Sequence, residues 1–419
     1  MMMHDRDAAY DALSQPAAAL YRQLGMCPMN WFDGEAIAVL TELDEPASAR
    51  LAETLADAGL LDAAADGFVL SAHGHVHART KAEECGQGES ELNGAGLDRL
   101  LAFLNAAAAA AEQLITPSHT ALWEYETPIA SAVEPPFPLE EAAALDWLER
   151  RLPVYMDAIR FVFADQRYAL ACELVHRLWP LWLRRRHPGQ RLEALTIGLA
   201  AATVTLNDKA IGLMLTTIAG AVRGTDPVLA YEYNRRAALH YEQTGDTKGL
   251  AQALDGIGKS LLHAGLLDQA EQNFRDAEQL RTGLGYVRGA ALSRQGRGRV
   301  ALARGDGNAA ADLLLSAHQT LLGLGDTYDA GLTLAFHAEA VGAAGDIDGA
   351  LASLGTAATA MHQASSVYGQ AVVWEIRAKV LAAAGHDDQA QKARVQAVTL
   401  FEHVDPDSAA RVREVTSAG

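Results

Sequence analysis

From Ala230 to the C-terminus, small, apolar and polar positions return with a step of 40 residues. Gly265, Gly305, Gly345 and Gly385 each precede an alanine by five residues: Ala270, Ala310, Ala350 and Ala390. Seven residues further stand Ala277, Ala317, Ala357 and Ala397. A second marker keeps the same step in Gly245, Gly285 and Gly325, with Ser365 in the fourth place. Ala230 and Ala237 extend the alanine register one unit upstream. Each glycine is expected to close a helix with a left-handed residue. Asp and Asn nearby start the next helix by capping its free N–H groups. The alanines fall where the second helix of a pair, helix B, presses on its neighbours. Gly258, Gly298, Ala338 and Ala378 are the matching small positions on the first, helix A, and Leu254, Leu334 and Trp374 supply bulk one turn earlier. One pair cannot bury its own apolar face, so the pairs must stack.

The N-terminal half has a different pattern. Helical spacing is expected over 16–25, 32–43 and 46–58. Asp66-Gly67 is a turn signal, and Phe68-Val69-Leu70 reads as a strand. Three helices and a hairpin make a winged helix, assigned to residues 1–82. Residues 83–138 read as a connector: a Gly-, Ser- and Glu-rich mobile stretch over 83–96, one helix over 97–114 and a proline-bearing arm over 117–138. Irregular helical pairs are expected over 139–205 and the repeats over 206–419. The fold class is therefore all-α: a winged-helix-like domain followed by a right-handed superhelix of helix pairs.

Gly258, Gly265, Ala270, Phe274 and Ala277 resemble the small, glycine, alanine and aromatic positions of the tetratricopeptide repeat. That repeat is usually about 34 residues long, so the longer step here implies longer helices. A second resemblance is carried by Leu20-Tyr-Arg-Gln-Leu-Gly-Met26, Phe32-Asp33, Leu100-Leu-Ala-Phe-Leu104, Leu114-Ile-Thr-Pro117, Ala144-Leu-Asp-Trp-Leu-Glu149 and Leu178-Trp-Pro-Leu-Trp182. In this order they resemble the winged helix, linker and first repeats of actinobacterial signalling ATPases of the antibiotic-regulatory-protein (SARP), NB-ARC or STAND type. The family's ATPase domain would lie before residue 16, where this chain has no room for it. Its winged helix often carries a Met-His-Asp nucleotide sensor, and Leu70-Ser71-Ala72 stands there instead. The resemblance implies a sensory half without its motor, acting in signalling or control of gene expression, in secondary metabolism or development. Its partner would be a protein or peptide, with a separately encoded ATPase or regulator as a candidate.

Composition narrows the chemistry. Half of the 419 residues are hydrophobic but only 6% aromatic, and the net charge is −19. An excess of acid repels nucleic acid and anionic membrane. Residues 1–92 hold five Lys or Arg against sixteen Asp or Glu, and the third helix offers Arg50 beside Glu53 and Asp57. This disfavours the alternative function, a transcription regulator that binds DNA directly through the winged helix. Cys27, Cys85 and Cys172 show neither a disulfide framework nor zinc spacing. No signal peptide or membrane-length apolar run is apparent, and a cytoplasmic location is expected.

Gly256-Ile-Gly-Lys-Ser260 imitates a phosphate loop, but Ala253 stands where the earlier glycine is needed and the segment falls inside a repeat helix. No catalytic motif and no cofactor site is found. His73-Gly-His75-Val-His77 would share a face in a strand, but no further ligand completes a metal site, and an exposed turn is expected. Arg184-Arg-Arg-His187 beside Trp179 and Trp182 reads as a solvated helix end rather than a surface for single-stranded nucleic acid. The expected binding surface is the concave face lined by helix A. Lys259, Arg299, Glu339 and Lys379 form one column of it, flanked by Gln252, Asp255, Gln295 and Glu375. Lys259 and Arg299, expected to face solvent, could together hold a partner's carboxylate.

Overall fold

The computed structural model describes residues 3–117 and 134–417. The chain is about 80% helical, with a small N-terminal sheet followed by consecutively packed helix pairs. Its described residues fall into two compact units. One takes 3–111, 134–139 and 147–167; the other takes 112–117, 140–146 and 168–417. Most of the 117–138 arm lies outside the described residues.

The first unit begins with the winged-helix arrangement. Helices Gln15–Met26, Gly34–Thr41 and Glu45–Asp57 precede a hairpin of β2 (Asp62–Ala64) and β3 (Gly67–Val69). The short β1 (Trp31–Phe32) closes a sheet of order β1-β3-β2, all antiparallel, with Phe32 opposite Phe68. Side-chain caps set the helix starts: Asp33 accepts from Ala36 N at 2.8 Å and Asp44 from Ala47 N at 2.8 Å. Leu20, Leu24, Phe32, Ile37, Leu40 and Leu55 are fully buried and form its core. Arg151 joins this unit from the helix Leu152–Ala164 end, pairing with Asp33 and with Glu35 at 2.7 Å and lying 4.0 Å over the Trp147 ring.

Two expectations fail here. Residues 87–96 do not form a separate stretch ahead of the helix, because helix Gln87–Ile115 takes them in. Its Gly96 serves packing: a Cβ there would sit 3.3 Å from the Gln23 amide. The three histidines are neither turn nor strand, because they lie on helix Ala72–Glu83. There His75 meets the Cys27 carbonyl at 2.6 Å, while His77 meets the Tyr21 hydroxyl at 3.0 Å and Asp7 at 3.3 Å.

The second unit holds the repeats as read. The A helices are Thr247–His263, Val287–Ala303, Thr327–Ala343 and Val367–Ala383. The B helices are Leu267–Gly283, Gly307–Gly323, Ile347–Gln363 and Asp387–Val404. An upstream pair, Asp208–Val222 and Pro227–Thr244, precedes them. Gly265, Gly305, Gly345 and Gly385 all have left-handed backbones, with φ of 74°, 83°, 101° and 76°. Gly245, Gly285, Gly325 and even Ser365 do likewise, so every turn from Gly245 to Gly385 uses the same device. The eight register alanines from Ala270 to Ala397 have no exposed surface. A Cβ at Gly258 would reach the Phe274 ring at 3.0 Å, which is why that A-helix position is small.

The turn glycines allow a clean test of the register. Around Gly305 nothing lies within 4 Å of where a Cβ would stand. Gly305→Ala should therefore cost backbone strain alone, about 1 kcal/mol, read as a lower melting midpoint with helicity retained. No loss would show that the left-handed turn does not hold the pair.

Candidate functional site

Helix A brings its surface residues into columns because positions four apart share a face. Lys259, Arg299, Glu339 and Lys379 occupy equivalent positions in successive repeats, one turn beyond Asp255, Gln295, Ala335 and Glu375. Their surroundings differ. Lys259 Nζ lies 2.7 Å from Asp255 Oδ2. Asp255 is itself buried, and accepts from Arg281 Nη1 at 3.0 Å and from Ser293 Oγ at 3.0 Å. Arg281 also donates to Gln252 Oε1 at 2.7 Å, so Gln252 serves this network. Gln295 is buried and donates to Thr333 Oγ1 at 2.6 Å. Lys379 pairs with Glu339 at 3.2 Å and with Glu375 at 3.4 Å, and Arg411 grips Glu375 with two bonds of 2.9 Å.

Lys259 and Arg299 are only partly exposed. Arg299 differs from the rest of its column. Its guanidinium lies 4.6 Å over the Phe336 ring, and no described carboxylate pairs with it. Burial disfavours its charge, and only the more distant Glu339 and Glu375 support it besides the Tyr368 hydroxyl. Asp255 behaves oppositely. Burial works against its charge, but Lys259 and Arg281 outweigh that and hold its carboxyl well below the usual range.

A larger cationic group went unread in the sequence. The chain turns between helices Trp179–Arg184 and Pro188–Val204 with left-handed backbone at Arg186 and His187, φ 74° and 46°. This is no solvated helix end. Arg184 is buried 3.8 Å over Tyr328, and Arg186 lies 3.6 Å over Tyr368. One helix further, Arg191 is 6% exposed. Arg223 follows helix Asp208–Val222 and reaches the same place. Burial pushes Arg191 down to about 9, with Arg186 and Arg223 adding to the effect. Burial likewise pushes Arg223 down to about 10, and Arg186 and Arg299 add to it while Asp255 opposes. The aromatic-flanked run Arg184 to His187 was a signal for part of this group; Arg191 and Arg223 carry no motif.

Gly256 to Ser260 lies within helix Thr247–His263, where backbone N–H groups are engaged in the helix ladder. Among the described residues no cluster of three His, Cys, Asp or Glu could hold a metal ion. No described helix is long and apolar enough to cross a membrane. On helix Glu45–Asp57 of the winged-helix arrangement, Arg50, Glu53 and Asp57 are all exposed.

No family model matches the chain, and no curated protein does. Several solved structures are similar in fold. A signal transduction ATPase with numerous domains (STAND) and a tetratricopeptide repeat sensor, from Pyrococcus horikoshii, matches 98% of this chain and 68% of its own at 14% identity and TM-score 0.41. A Rap protein complexed with competence and sporulation factor matches 65% of this chain and 81% of its own, at 11% identity and TM-score 0.46. Aspartyl phosphate phosphatase F from Bacillus subtilis matches 97% and 95%, at 9% identity and TM-score 0.45. At these identities the likeness is one of fold alone and is not specific to the actinobacterial type.

Proposed function

We propose that the helix-A face of the repeats binds a protein or peptide partner, and that the chain is a non-enzymatic regulatory module. The observation that carries this reading is Arg299: a guanidinium held on an aromatic face, without a carboxylate partner among the described residues, in a chain of net charge −19. Lys259, in the equivalent position of the preceding repeat, keeps donors beyond the one directed at Asp255. Together they suit a carboxylate, such as the C-terminus or an acidic side chain of an extended partner. Glu339, Lys379, Gln252 and Gln295 flank the track, and Glu339 would repel the same anion and set its direction. The finer reading is a sensory module of the actinobacterial STAND type, located in the cytoplasm and working with a separately encoded ATPase or regulator in signalling or control of gene expression. DNA binding by the winged helix gains no support from the exposed Glu53 and Asp57 beside Arg50.

An array of acidic peptides, each with a free and an amidated C-terminus, tests the groove. Peptides that bind should prefer the free carboxylate. A charge-assisted bond contributes about 1.5–3 kcal/mol, so Lys259→Ala with Arg299→Ala should weaken binding at least tenfold. Equal binding by the double variant would overturn the assignment.

A further inference from the structure

We propose that Arg186, Arg191 and Arg223 form a binding site for a phosphoryl dianion, built from other residues than the Lys259–Arg299 track that lies near it. The three belong to one compact unit and come from three places in it: the left-handed turn, helix Pro188–Val204 and the residue after helix Asp208–Val222. Arg191 and Arg223 meet beside Gly220, and Arg186 lies close enough to act on the charge of both. A Cβ on Gly220 would stand 3.5 Å from Arg191 Nη2 and 3.6 Å from Arg223 Nη2. No other atom outside its own helix backbone and chain neighbours lies within 4 Å of that point. The missing side chain leaves an open cradle with a guanidinium on either side.

The cations are short of partners. The buried Nε atoms of Arg186, Arg191 and Arg223 have no hydrogen-bond acceptor, and no described carboxylate pairs with any of the three. Arg191 is more than nine-tenths buried. Asp255 is the acid that Arg223 feels, and it is already bound by Lys259 and Arg281. A guanidinium does not surrender its proton in practice. Burial and mutual repulsion therefore remain as a penalty on the empty site, and an anion placed there would remove it.

Geometry and charge select the anion. Arg186 is stacked on Tyr368, which fixes its plane and leaves its edge for in-plane donors. Three forks can address the three terminal oxygens of a phosphate monoester, which carries a charge of about −1.5 to −2 near neutral pH. A monocarboxylate offers two oxygens and one charge, and leaves most of the cationic excess in place. The shared chemistry covers two sources, a free phosphorylated metabolite and a phosphorylated side chain of a partner.

The test uses the full chain, with inorganic phosphate as probe and acetate at equal ionic strength as control. Phosphate should raise the melting temperature saturably and give a calorimetric isotherm; acetate should do neither. Arg191→Met and Arg223→Met should each weaken phosphate binding at least tenfold and, without phosphate, melt no lower than the original. Gly220→Leu keeps all three arginines but fills the cradle, and should also lose at least tenfold with its helicity intact. Lys259→Ala with Arg299→Ala should retain phosphate binding, so failure of the peptide track leaves this site standing. Acetyl-phosphoserine amide binding more tightly than phosphate would place the source on a partner side chain; the reverse would favour a free metabolite. Equal shifts with acetate and phosphate, or full phosphate binding by Gly220→Leu, would overturn the proposal. So would a melting temperature that falls in both methionine variants, because it would mean that the arginines hold the fold.

Discussion

Replacing Asp255 by alanine should lower stability by about 3–5 kcal/mol, the range for removing one partner from a buried ion pair. Arg281 is 2% exposed and would keep the Gly289 carbonyl, Ser293 and Gln252 as acceptors, but no carboxylate. Lys259 would lose its tether as well. The loss should appear as a large fall in the urea midpoint. Stacked repeats need not unfold in one step, so the transition should also broaden, starting in the repeats of residues 247–323. Acid gives a second readout. Lys259 and Arg281, working against burial, hold the Asp255 carboxyl below its ordinary value. A depressed carboxylate contributes fully above its unfolded value, about 3.9, and loses that contribution as pH falls toward its folded value. The original chain should thus lose stability through this acid range more steeply than the alanine variant. Equal slopes, or a midpoint loss below about 1 kcal/mol, would show that water already screens the pair.

This network also marks where sequence reading stops. The stack was legible because each small position answers a local demand repeated at a fixed step: Gly265 must be left-handed, and Ala270 must fit against a neighbouring helix. Such demands leave a trace even in one sequence. Asp255, Arg281 and Ser293 stand 26 and 38 residues apart in their contacts and occur in one place only, so no periodicity announces them. Lys259 and Arg299 stand out because they share the register, and Lys259 reaches Asp255 four residues back on its own helix; that Arg281 and Ser293 converge on the same buried carboxylate depends on the packing of three helices. Arg184 was read as solvated because a charged run beside a helix end usually is. What the run cannot show is that Tyr328 and Tyr368, more than 140 residues later, supply aromatic faces for it. The histidines at 73, 75 and 77 misled for a related reason: alternation suggests a strand, but Ser71 caps a helix there, accepting from Gly74 N at 3.2 Å.

Gly249→Ala should also be strongly destabilising, by roughly 2–3 kcal/mol, at the upper end for overpacking a filled core. A Cβ at Gly249 would stand 2.2 Å from Tyr241 Cε1, and one at Gly212 would stand 2.4 Å from the same ring. Tyr241 is 1% exposed and its ring lies between these two glycines, so it cannot move away from one without striking the other. Helices Asp208–Val222, Pro227–Thr244 and Thr247–His263 all meet at that ring. Forcing them apart should act on function too. Arg223 follows the first of these helices and Lys259 rides on the third. A wider spacing would misplace Arg223 relative to Arg191, which belongs to neither, and phosphate affinity should fall although no cation has been removed. Tyr241→Leu in the Gly249→Ala background supplies the discriminating measurement, because leucine gives back the space that the methyl needs. Partial recovery of both melting temperature and phosphate affinity, beyond the sum of the two single effects, would tie the ring to the position of the cations. If the leucine change only adds to the damage, the clash is relieved elsewhere in the stack and Tyr241 does not set the spacing of these helices.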